Sequence, residues 1–344
     1  MQRIQADFNR SADTHLQKLE LPVFDGIDLY LKDESIHPTG SLKHRLARSL
    51  ILYGLCNGRI GPHTTLVEAS SGSTAVSEAY FARLLELPFI AVVPAGTSSE
   101  KLKEIVRYGG RTVEVAAGDI YSEAERLADS LDGYYLDQFT NAERATDWRS
   151  NNNIAESLFQ QLSRERFPTP HWVIVGAGTG GTSATIGRYL RYRAETYAQT
   201  RVCVADPEGS VFFDGFRRQD LTLTDNVRSR IEGVGRPRVE PSFITSVVDR
   251  MLKVPDALSI AVVWWLRELT GRSYGPSTGL NLCAALFLAK EMAEAGQGGS
   301  IVTLICDGGE RYLDSCYASD WLSANGLAVE AALADLRAWL DARS

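Results

Sequence analysis

The sequence predicts an α/β fold in which parallel strands alternate with helices. Short apolar segments rich in Val, Ile and Leu recur along the chain, Gly- or Ser-rich turns follow several of them, and segments with helical spacing come next. This alternation is typical of doubly wound parallel sheets, and strands covered on both faces have such an apolar composition. The predicted strands are Leu29–Lys32, Thr65–Glu68, Phe89–Val93, Thr112–Val115, Trp172–Val175, Arg201–Ala205 and Ile301–Cys306.

Helical spacing is clearest in one early segment and in the tail. Apolar residues recur at near-helical intervals from Leu42 to Tyr53, and the Asn57-Gly58 pair then signals a helix end. A helix is therefore predicted to begin close to Ser41. In the tail, a helical stripe predicts an amphipathic helix packed on the body or on a partner subunit; it consists of Val329, Leu333, Leu336 and Leu340. The longest stretch without an assigned element is 212–241.

Length and charge exclude several classes of protein. The 344 residues suggest two domains, or one large α/β unit with an insertion. The net charge is −7 and no Lys/Arg run is present, so neither nucleic acid nor an anionic membrane surface is an expected partner. No apolar run approaches the roughly 18 residues that a membrane span needs. Residues 1–11 are polar and lack the apolar core of a signal peptide, so a cytoplasmic protein is expected.

The cysteines and histidines do not predict a metal site. Both sets are scattered and contain neither a C-x-x-C pair nor a Cys/His pair at metal-binding spacing. We expect the cysteines to be small apolar residues in the core. The residues concerned are Cys56, Cys203, Cys283, Cys306, Cys316, His15, His37, His44, His63 and His171.

A glycine-rich loop follows the predicted strand Trp172–Val175. It spans Gly176 to Thr182 and formally matches G-x-G-x-x-G. One interpretation is a nicotinamide dinucleotide site, with Asp206 after the next strand as the ribose ligand. A more general one is phosphate binding, because glycines let the backbone approach a ligand and a helix N-terminus attracts anions. A tight turn without a ligand is the third.

A second loop, Ser70-Ser71-Gly72-Ser73-Thr74, also lies between a strand and a helix. One hydroxyl is enough to cap a helix. The remaining donors predict an anion such as a carboxylate at this loop, although capping alone would also explain a Ser-rich turn.

Two further motifs lie at predicted helix starts. Lys43 follows Thr39-Gly40-Ser41-Leu42, and a helix N-terminus disfavours a cation, which makes a lysine amine there a better nucleophile. A solvated surface lysine is the alternative. In the other motif, Ser277 of Gly275-Pro276-Ser277-Thr278-Gly279 either caps a helix or binds a ligand.

In this order, the four motifs resemble those of the β-family of pyridoxal-phosphate enzymes, which includes cysteine synthase and cystathionine β-synthase. The resemblance runs from about Leu29 to about Tyr317. It implies the two-domain tryptophan synthase β-like fold (fold type II), with a parallel-rich sheet flanked by helices in each domain. It also implies pyridoxal 5′-phosphate as cofactor, an amino acid as the small-molecule substrate, and a homodimer.

The resemblance assigns roles to individual residues. Lys43 is expected to hold the cofactor as a Schiff base and to act as the catalytic base. Ser70, Ser71, Gly72, Thr74, Gln138 and Gly233 are expected to bind the substrate. The expected cofactor-binding residues, besides Lys43, are Ser73, Gly178, Thr179, Gly180, Gly181, Thr182 and Ser277.

The domain layout expected with this fold has four parts. Residues 1–45 form an N-terminal segment packed on the large domain, and 46–150 form the smaller substrate-carboxylate domain. Residues 151–317 form the large cofactor-phosphate domain, and 318–344 form a C-terminal helical extension. The polar stretch 147–153 marks the boundary between the two domains.

One departure points to a particular reaction. Where the family has an asparagine near the cofactor's 3′-oxygen, this chain has Ser73. With Thr39 to Arg45 and Asn151 to Glu156, this form of the loop resembles actinobacterial cysteine desulfhydrases. The implied reaction is β-elimination on L-cysteine or another β-substituted alanine, through an aminoacrylate, giving sulfide, pyruvate and ammonia from cysteine.

Several other functions remain open on the sequence alone. A cysteine synthase would add a nucleophile to the same aminoacrylate, and a serine or threonine dehydratase uses the same fold. From other classes, the chain would be a cofactor- or amino-acid-binding protein without turnover, or the nicotinamide dehydrogenase mentioned above. Retention of Lys43 argues against a protein without turnover.

Overall fold

The computed structural model describes residues 1–10, 13–21, 23–149 and 153–342. The strands of these residues are β1 (His15–Leu19), β2 (Ile27–Asp33), β3 (Leu66–Ala69), β4 (Phe89–Pro94), β5 (Arg111–Val115), β6 (Tyr134–Tyr135), β7 (Trp172–Gly176), β8 (Arg201–Pro207), β9 (Arg250–Val254) and β10 (Gly299–Ile305). The helices are α1 (Gln2–Arg10), α2 (Lys43–Cys56), α3 (Ser73–Leu85), α4 (Ser99–Arg107), α5 (Ile120–Ser130), α6 (Gln138–Ala145), α7 (Ile154–Leu162), α8 (Gly181–Tyr192), α9 (Ala194–Tyr197), α10 (Phe212–Arg218), α11 (Asp256–Thr270), α12 (Pro276–Glu294), α13 (Ser319–Ala324) and α14 (Val329–Asp341).

The chain forms two compact units. The small unit comprises Met1–Asp13 and His37–Asp147, and the large unit comprises Thr14–Ile36 and Trp148–Ser344. The expected N-terminal segment 1–45 is therefore divided: its middle part adds β1 and β2 to the sheet of the large unit, while its two ends belong to the small unit. The boundary between the two units lies between residues 147 and 148 rather than between residues 150 and 151. Ser150, Asn151 and Asn152 of the expected boundary lie outside the described residues.

The small unit is a parallel sheet with helices on both faces. Its strand order is β5-β4-β3-β6, and each neighbouring pair is parallel. Side chains of one strand alternate between faces, so Leu66 joins the core formed with α2 and α3, whereas Val67 packs with Ala124 of α5 on the other face. The helices α3 and α6 follow β3 and β6, so both begin at the carboxyl edge of the sheet.

The large unit is a second, mostly parallel sheet with the order β1-β2-β10-β7-β8-β9. Only the β1–β2 pair of this sheet, in the described residues, is antiparallel. One face packs on α12, and α11 and α14 complete the same apolar core. The predicted tail helix is confirmed: Leu333, Leu336 and Leu340 are buried against this unit. The expected extension 318–344 thus packs within the large unit.

The predicted α/β fold is confirmed, and each of the predicted strands matches an observed strand within about two residues at either end. The prediction missed three strands. β1 is a partly exposed edge strand containing His15, Gln17 and Lys18; β6 has two residues; β9 is an edge strand with Arg250 and Lys253. Edge strands need fewer apolar residues, so their composition is a weak signal.

The stretch 212–241, left without an element by the sequence, begins with α10. Beyond this helix, Thr224 pairs with Arg238 in an isolated antiparallel bridge. The buried carboxylate of Glu240 accepts hydrogen bonds from the guanidinium groups of Arg236 and Arg238 over 2.8 and 2.9 Å. These ion pairs join residues of the same segment, so they stabilise its local conformation where it has no regular secondary structure.

One expectation about the cysteines is wrong. Cys203 and Cys316 are buried as expected, and Cys283 and Cys306 are partly buried. Cys56 is exposed because it ends α2 at the surface of the small unit. Within the described ranges, no helix is both long and apolar enough to span a bilayer. The same residues contain no cluster of three His, Cys, Asp or Glu side chains suited to a metal ion.

Candidate active site

Lys43 is the first residue of α2, in the small unit. Its N–H donates to the hydroxyl of Ser41 over 3.2 Å, which satisfies one of the amides that a helix start leaves without an intrahelical acceptor. The hydroxyls of Thr39 and Ser77 lie 2.9 Å apart and join the turn before α2 to α3. The helix therefore begins where the sequence predicts, with Lys43 fixed in its first turn.

The Ser70–Thr74 loop connects β3 to α3. The N-cap of α3 is Gly72, which has no side chain to accept from the first-turn amides. Capping of this helix by a loop hydroxyl, which the sequence allowed, is therefore not observed. Instead, the Ser70 hydroxyl accepts from the N–H of Gly72 over 3.3 Å. The loop thus retains hydrogen-bond donors suited to an anion.

Gln138 is the first residue of α6 and is buried beside this loop. Its side-chain oxygen accepts a hydrogen bond of 2.8 Å from the Thr74 hydroxyl. Asp137 precedes it in the left-handed conformation, at φ 46°, and its carboxylate caps α6 by accepting from the N–H of Thr140. The structure thus brings together two of the predicted substrate-binding residues, Thr74 and Gln138, at the starts of two helices.

Two buried carboxyl groups lie next to these residues, and neither has a role predicted from the sequence. Glu68 in β3 and Glu78 in α3 are fully buried. Burial raises the pKa of both groups above the usual range. Glu68 raises the pKa of Glu78 further, whereas a hydrogen bond with Glu78 lowers the pKa of Glu68. The charge of Lys43 acts in the opposite direction on the pKa of Glu78, which places Lys43 within electrostatic range of this carboxyl group. The sequence signal that could have identified Glu68 and Glu78 is an acidic residue inside an otherwise apolar segment.

The predicted phosphate loop lies between β7 and α8, in the large unit. Gly180 is the N-cap of α8 and has φ 86°, a backbone region that favours glycine. A Cβ at this position would lie 2.5 Å from Cα of Phe243. The hydroxyl of Thr179 accepts from the N–H of Gly181 over 3.2 Å. Because Gly180 has no side chain to cap α8, the first-turn amides of Thr182 and Ser183 remain suited to an anion.

The large unit brings two other predicted segments to this loop. The N–H of Gly235 donates to the carbonyl of Ala177 over 2.8 Å, which places the turn containing Gly233 beside the loop. Ser277 lies buried in the first turn of α12, and Asn281, one turn later, lies against Gly176. The phosphate loop, the Gly233 turn and the start of α12 therefore meet within this unit.

Asp206 does not suit the role of a ribose ligand. Its side chain is buried and accepts from the N–H of Phe213 over 2.9 Å. Burial raises the pKa of this carboxyl group to about 6. A ribose ligand has to reach the surface of the site, so this environment argues against the nicotinamide dehydrogenase.

Comparison with known proteins decides the family. Residues 11–307 match the family described as "Pyridoxal-phosphate dependent enzyme". The chain belongs to this family. The resemblance predicted from the motifs is thereby confirmed, as are the enzyme class and the cofactor, pyridoxal phosphate.

This pyridoxal-phosphate enzyme is 58% identical over 329 residues to L-cysteine desulfhydrase Cds1 of Mycobacterium tuberculosis, covering 94% of this chain and 89% of the relative. Among solved structures, it is similar to an O-acetylserine dependent cystathionine β-synthase from Helicobacter pylori (26% identity, TM-score 0.77, covering 90% of this chain and 97% of the other). A hydrogen sulfide-producing enzyme from Fusobacterium nucleatum is similar at 25% identity and TM-score 0.77, covering 89% and 97%. The expected fold type II is confirmed by these neighbours.

The residues of the large unit fit the phosphate of this cofactor. The uncapped N-terminus of α8 offers backbone N–H groups to a dianion. The side-chain oxygen of Asn281, buried beside Gly176, lacks a hydrogen-bond donor among the described residues; as an acceptor it suits a water or a donor group of a ligand, not the phosphate itself. The individual roles of the predicted site residues stay predictions.

Proposed function

We propose that this enzyme is an L-cysteine desulfhydrase, which converts L-cysteine and water into hydrogen sulfide, pyruvate and ammonia. The observation that carries the proposal is the 58% identity, over 94% of this chain, to a protein named L-cysteine desulfhydrase. The likeness to a hydrogen sulfide-producing enzyme supports the same reaction. Sulfide leaves from Cβ, the α-proton is removed, and water releases the amino group from the remaining three-carbon unit.

Each unit of the chain is assigned a different task. When bound, pyridoxal phosphate withdraws electrons from Cα of the substrate. In the small unit, Nζ of Lys43 holds the cofactor and afterwards accepts the α-proton. Its place in the first turn of α2 supports this role, because the amides of a helix start favour the neutral amine over the ammonium form.

The substrate carboxylate is assigned to the loop Ser70-Ser71-Gly72 together with Thr74 and Gln138. The N-cap without a side chain and the Thr74–Gln138 hydrogen bond support this assignment, because they leave backbone amides and a carboxamide nitrogen as donors. Ser73 is assigned to the cofactor ring, where its short side chain replaces the longer asparagine of the family.

In the large unit, the phosphate is assigned to the loop of Gly178, Thr179, Gly180, Gly181 and Thr182, and the pyridine nitrogen to Ser277. A neutral hydroxyl at that nitrogen gives a weaker electron sink than a carboxylate would. This favours elimination over reactions that need a long-lived carbanion. Gly233, at φ 84° with open space around it, is assigned to the substrate side of its turn.

A β-replacement enzyme such as cysteine synthase is the alternative with a specific observation in its favour, since one structural neighbour is an O-acetylserine dependent cystathionine β-synthase. The two reactions differ in whether a second nucleophile is required. A serine or threonine dehydratase would release ammonia without sulfide. A binding protein without turnover would give no product.

The test uses the purified chain loaded with pyridoxal phosphate. L-cysteine is added alone while the visible spectrum, sulfide and pyruvate are followed. Release of sulfide and pyruvate in equal amounts is expected. Separate assays contain sulfide with O-acetylserine, or L-serine alone. Sulfide consumption that requires O-acetylserine would show a synthase instead, and pyruvate from L-serine without turnover of cysteine would show a dehydratase.

We further propose that the enzyme works as a homodimer in the cytoplasm, as the family likeness implies. Light scattering coupled to gel filtration measures the mass against 37.8 kDa for one chain. Cell fractionation followed by sulfide assay tests the location.

A further inference from the structure

Two carboxyl groups face each other inside the small unit. Glu68 lies in β3, and Glu78 lies in the second turn of α3, one turn after Thr74. Both side chains are fully buried. Two ionised carboxylates in contact, without solvent, repel each other strongly. The burial of this pair therefore requires an explanation.

The hydrogen bonds around the pair show which group lacks a donor. Glu68 accepts through Oε1 from the N–H of Ala69 over 2.8 Å and through Oε2 from the N–H of Gln138 over 3.1 Å. Neither oxygen of Glu78 receives a hydrogen bond from an N–H or hydroxyl group of the described residues. The group within hydrogen-bonding reach of Glu78 is Glu68 itself. A hydrogen bond between two carboxyl groups exists only if one of them carries a proton.

The charged and titratable groups around the pair do not remove the need for that proton. When its amine is protonated, Lys43 of α2 favours the ionised form of Glu78, but burial and Glu68 have larger effects on the pKa of Glu78. Asp137, before α6, opposes ionisation of Glu68. The phenols of Tyr134 and Tyr135 in β6 also interact with the pair, and burial raises the pKa of both phenols, which keeps them neutral.

We propose that Glu68 and Glu78 share one proton, and that Glu78 is thereby a positioning residue for the clamp, the Thr74–Gln138 pair that binds the substrate carboxylate. Protonated Glu78 donates to Glu68, which holds the backbone N–H of Gln138 at the start of α6. The side-chain oxygen of Gln138 in turn accepts a hydrogen bond from the hydroxyl of Thr74. The pair therefore fixes the distance between α3 and α6. This inference rests on the proposed function for its substrate, L-cysteine.

Loss of the shared proton changes the clamp. At alkaline pH both groups become carboxylates, and their repulsion displaces Glu68 from Gln138. Binding of the substrate carboxylate weakens, so KM rises, whereas kcat changes less because the pair does not touch the reacting atoms. If only the protonated pair binds substrate, KM rises about tenfold for each pH unit above the transition.

The test compares three variants of the full-length, cofactor-loaded chain across neutral and alkaline pH. Glu78→Gln keeps a hydrogen-bond donor to Glu68 but cannot lose a proton, so its KM is expected to lack the alkaline rise. Glu78→Leu removes the donor and is expected to raise KM at every pH. Glu125→Gln, at an exposed position of α5, is the matched control and should follow the parent. Ionisation of the cysteine substrate affects all variants equally, so it cancels in the comparison with the parent.

Infrared spectroscopy supplies a readout that does not depend on turnover. The parent and Glu125→Gln should show the C=O stretch of a protonated carboxyl group that disappears at alkaline pH, and the parent-minus-Glu78→Gln difference spectrum isolates it. Absence of this band from the difference spectrum, or equal KM profiles for the parent and Glu78→Gln, would overturn the proposal. If the loaded enzyme releases no sulfide, the proposed function fails, whereas the infrared band still decides whether the proton is shared.

Discussion

The hydroxyl of Thr74 donates a hydrogen bond to the side-chain oxygen of Gln138 over 2.8 Å, although the residues are 64 positions apart in the chain. This contact occupies the acceptor atom of the carboxamide. The nitrogen end, which carries the N–H donors, is left to face an anion. Two helix starts and one carboxamide thereby form a site with donors rather than acceptors.

Substitution Thr74→Val tests this contact, because it removes the hydroxyl while keeping the shape of the side chain. We expect KM for L-cysteine to rise about tenfold, as for the loss of one hydrogen bond worth about 1.4 kcal/mol, with a smaller change in kcat. Thr196→Val, at an exposed position of α9, is the control. Steady-state kinetics of both variants measure the effect. Equal KM values for Thr74→Val and the parent would contradict the clamp.

Substitution Lys43→Ala tests the proposed attachment of the cofactor. After reduction with borohydride, the parent should gain the mass of one phosphopyridoxyl group, and the variant should gain none. Because the general base is also lost, sulfide release should fall by roughly 10²–10⁴-fold or more. Lys290→Ala, near the end of α12, is the control and should be labelled like the parent. Labelling of Lys43→Ala at the parental level would place the Schiff base on another lysine.

The sequence predicted those parts of the fold whose signal is local. The apolar strands β3, β4, β7 and β8 and the turns after them could be identified because buried parallel strands and helix starts have characteristic compositions. β1 was missed because an antiparallel edge strand, with His15 and Lys18 exposed or half-exposed, needs little apolar surface. The residues that β1 pairs with in β2 are 10 to 18 positions further along the chain, but this pairing depends on the register in space.

The site was only partly visible in the sequence for a similar reason. Lys43 and the two loops lie at helix starts, which local patterns indicate. The role of Gln138 came only from the family resemblance. Its contact with Thr74 joins two helices that follow different strands, 64 positions apart in the chain, and local patterns do not show such a contact. Glu68 and Glu78 were not assigned, since the spacing of a strand residue and a helix residue does not determine whether their side chains meet.

Substitution Gly180→Ala tests the phosphate loop. The left-handed conformation at φ 86° costs an alanine about 1 kcal/mol, and its Cβ would also lie 2.5 Å from the backbone of Phe243. We expect the loop to shift and the affinity for pyridoxal phosphate to fall by at least about tenfold.

Gly96→Ala provides a matched control, because Gly96 also has a positive φ, 80°, but nothing lies within 4 Å of a Cβ there. Both variants should lose stability from backbone strain, Gly180→Ala more because of its contact with Phe243, and only Gly180→Ala should bind the cofactor weakly. Fluorescence titration of the cofactor-free proteins measures the affinity. Equal affinities of the two variants for pyridoxal phosphate would show that this loop does not bind the phosphate.

Asp206 makes the stability of the large unit depend on pH. Burial raises the pKa of its carboxyl group in the folded chain to about 6, whereas in the unfolded chain it is about 3.9. A raised pKa stabilises the fold fully below the unfolded value, and this contribution is lost as the pH rises towards the folded value. This difference of about two pKa units corresponds to about 3 kcal/mol in the free energy of unfolding. The loss should therefore occur between about pH 4 and pH 6.

Asp206→Asn removes this titration while its side-chain oxygen still accepts from the N–H of Phe213. Relative to the parent, the variant should gain free energy of unfolding between pH 4 and pH 6 and keep that gain at pH 7. Asp129→Asn, at an exposed position of α5, is the control. Urea unfolding at pH 4, 5, 6 and 7 measures the difference between each variant and the parent. If the difference in free energy of unfolding between Asp206→Asn and the parent does not change with pH, the carboxyl group of Asp206 has an ordinary pKa in the fold. The cost of burying its charge would then have to be offset by Lys253, the cation whose charge lowers the pKa of Asp206.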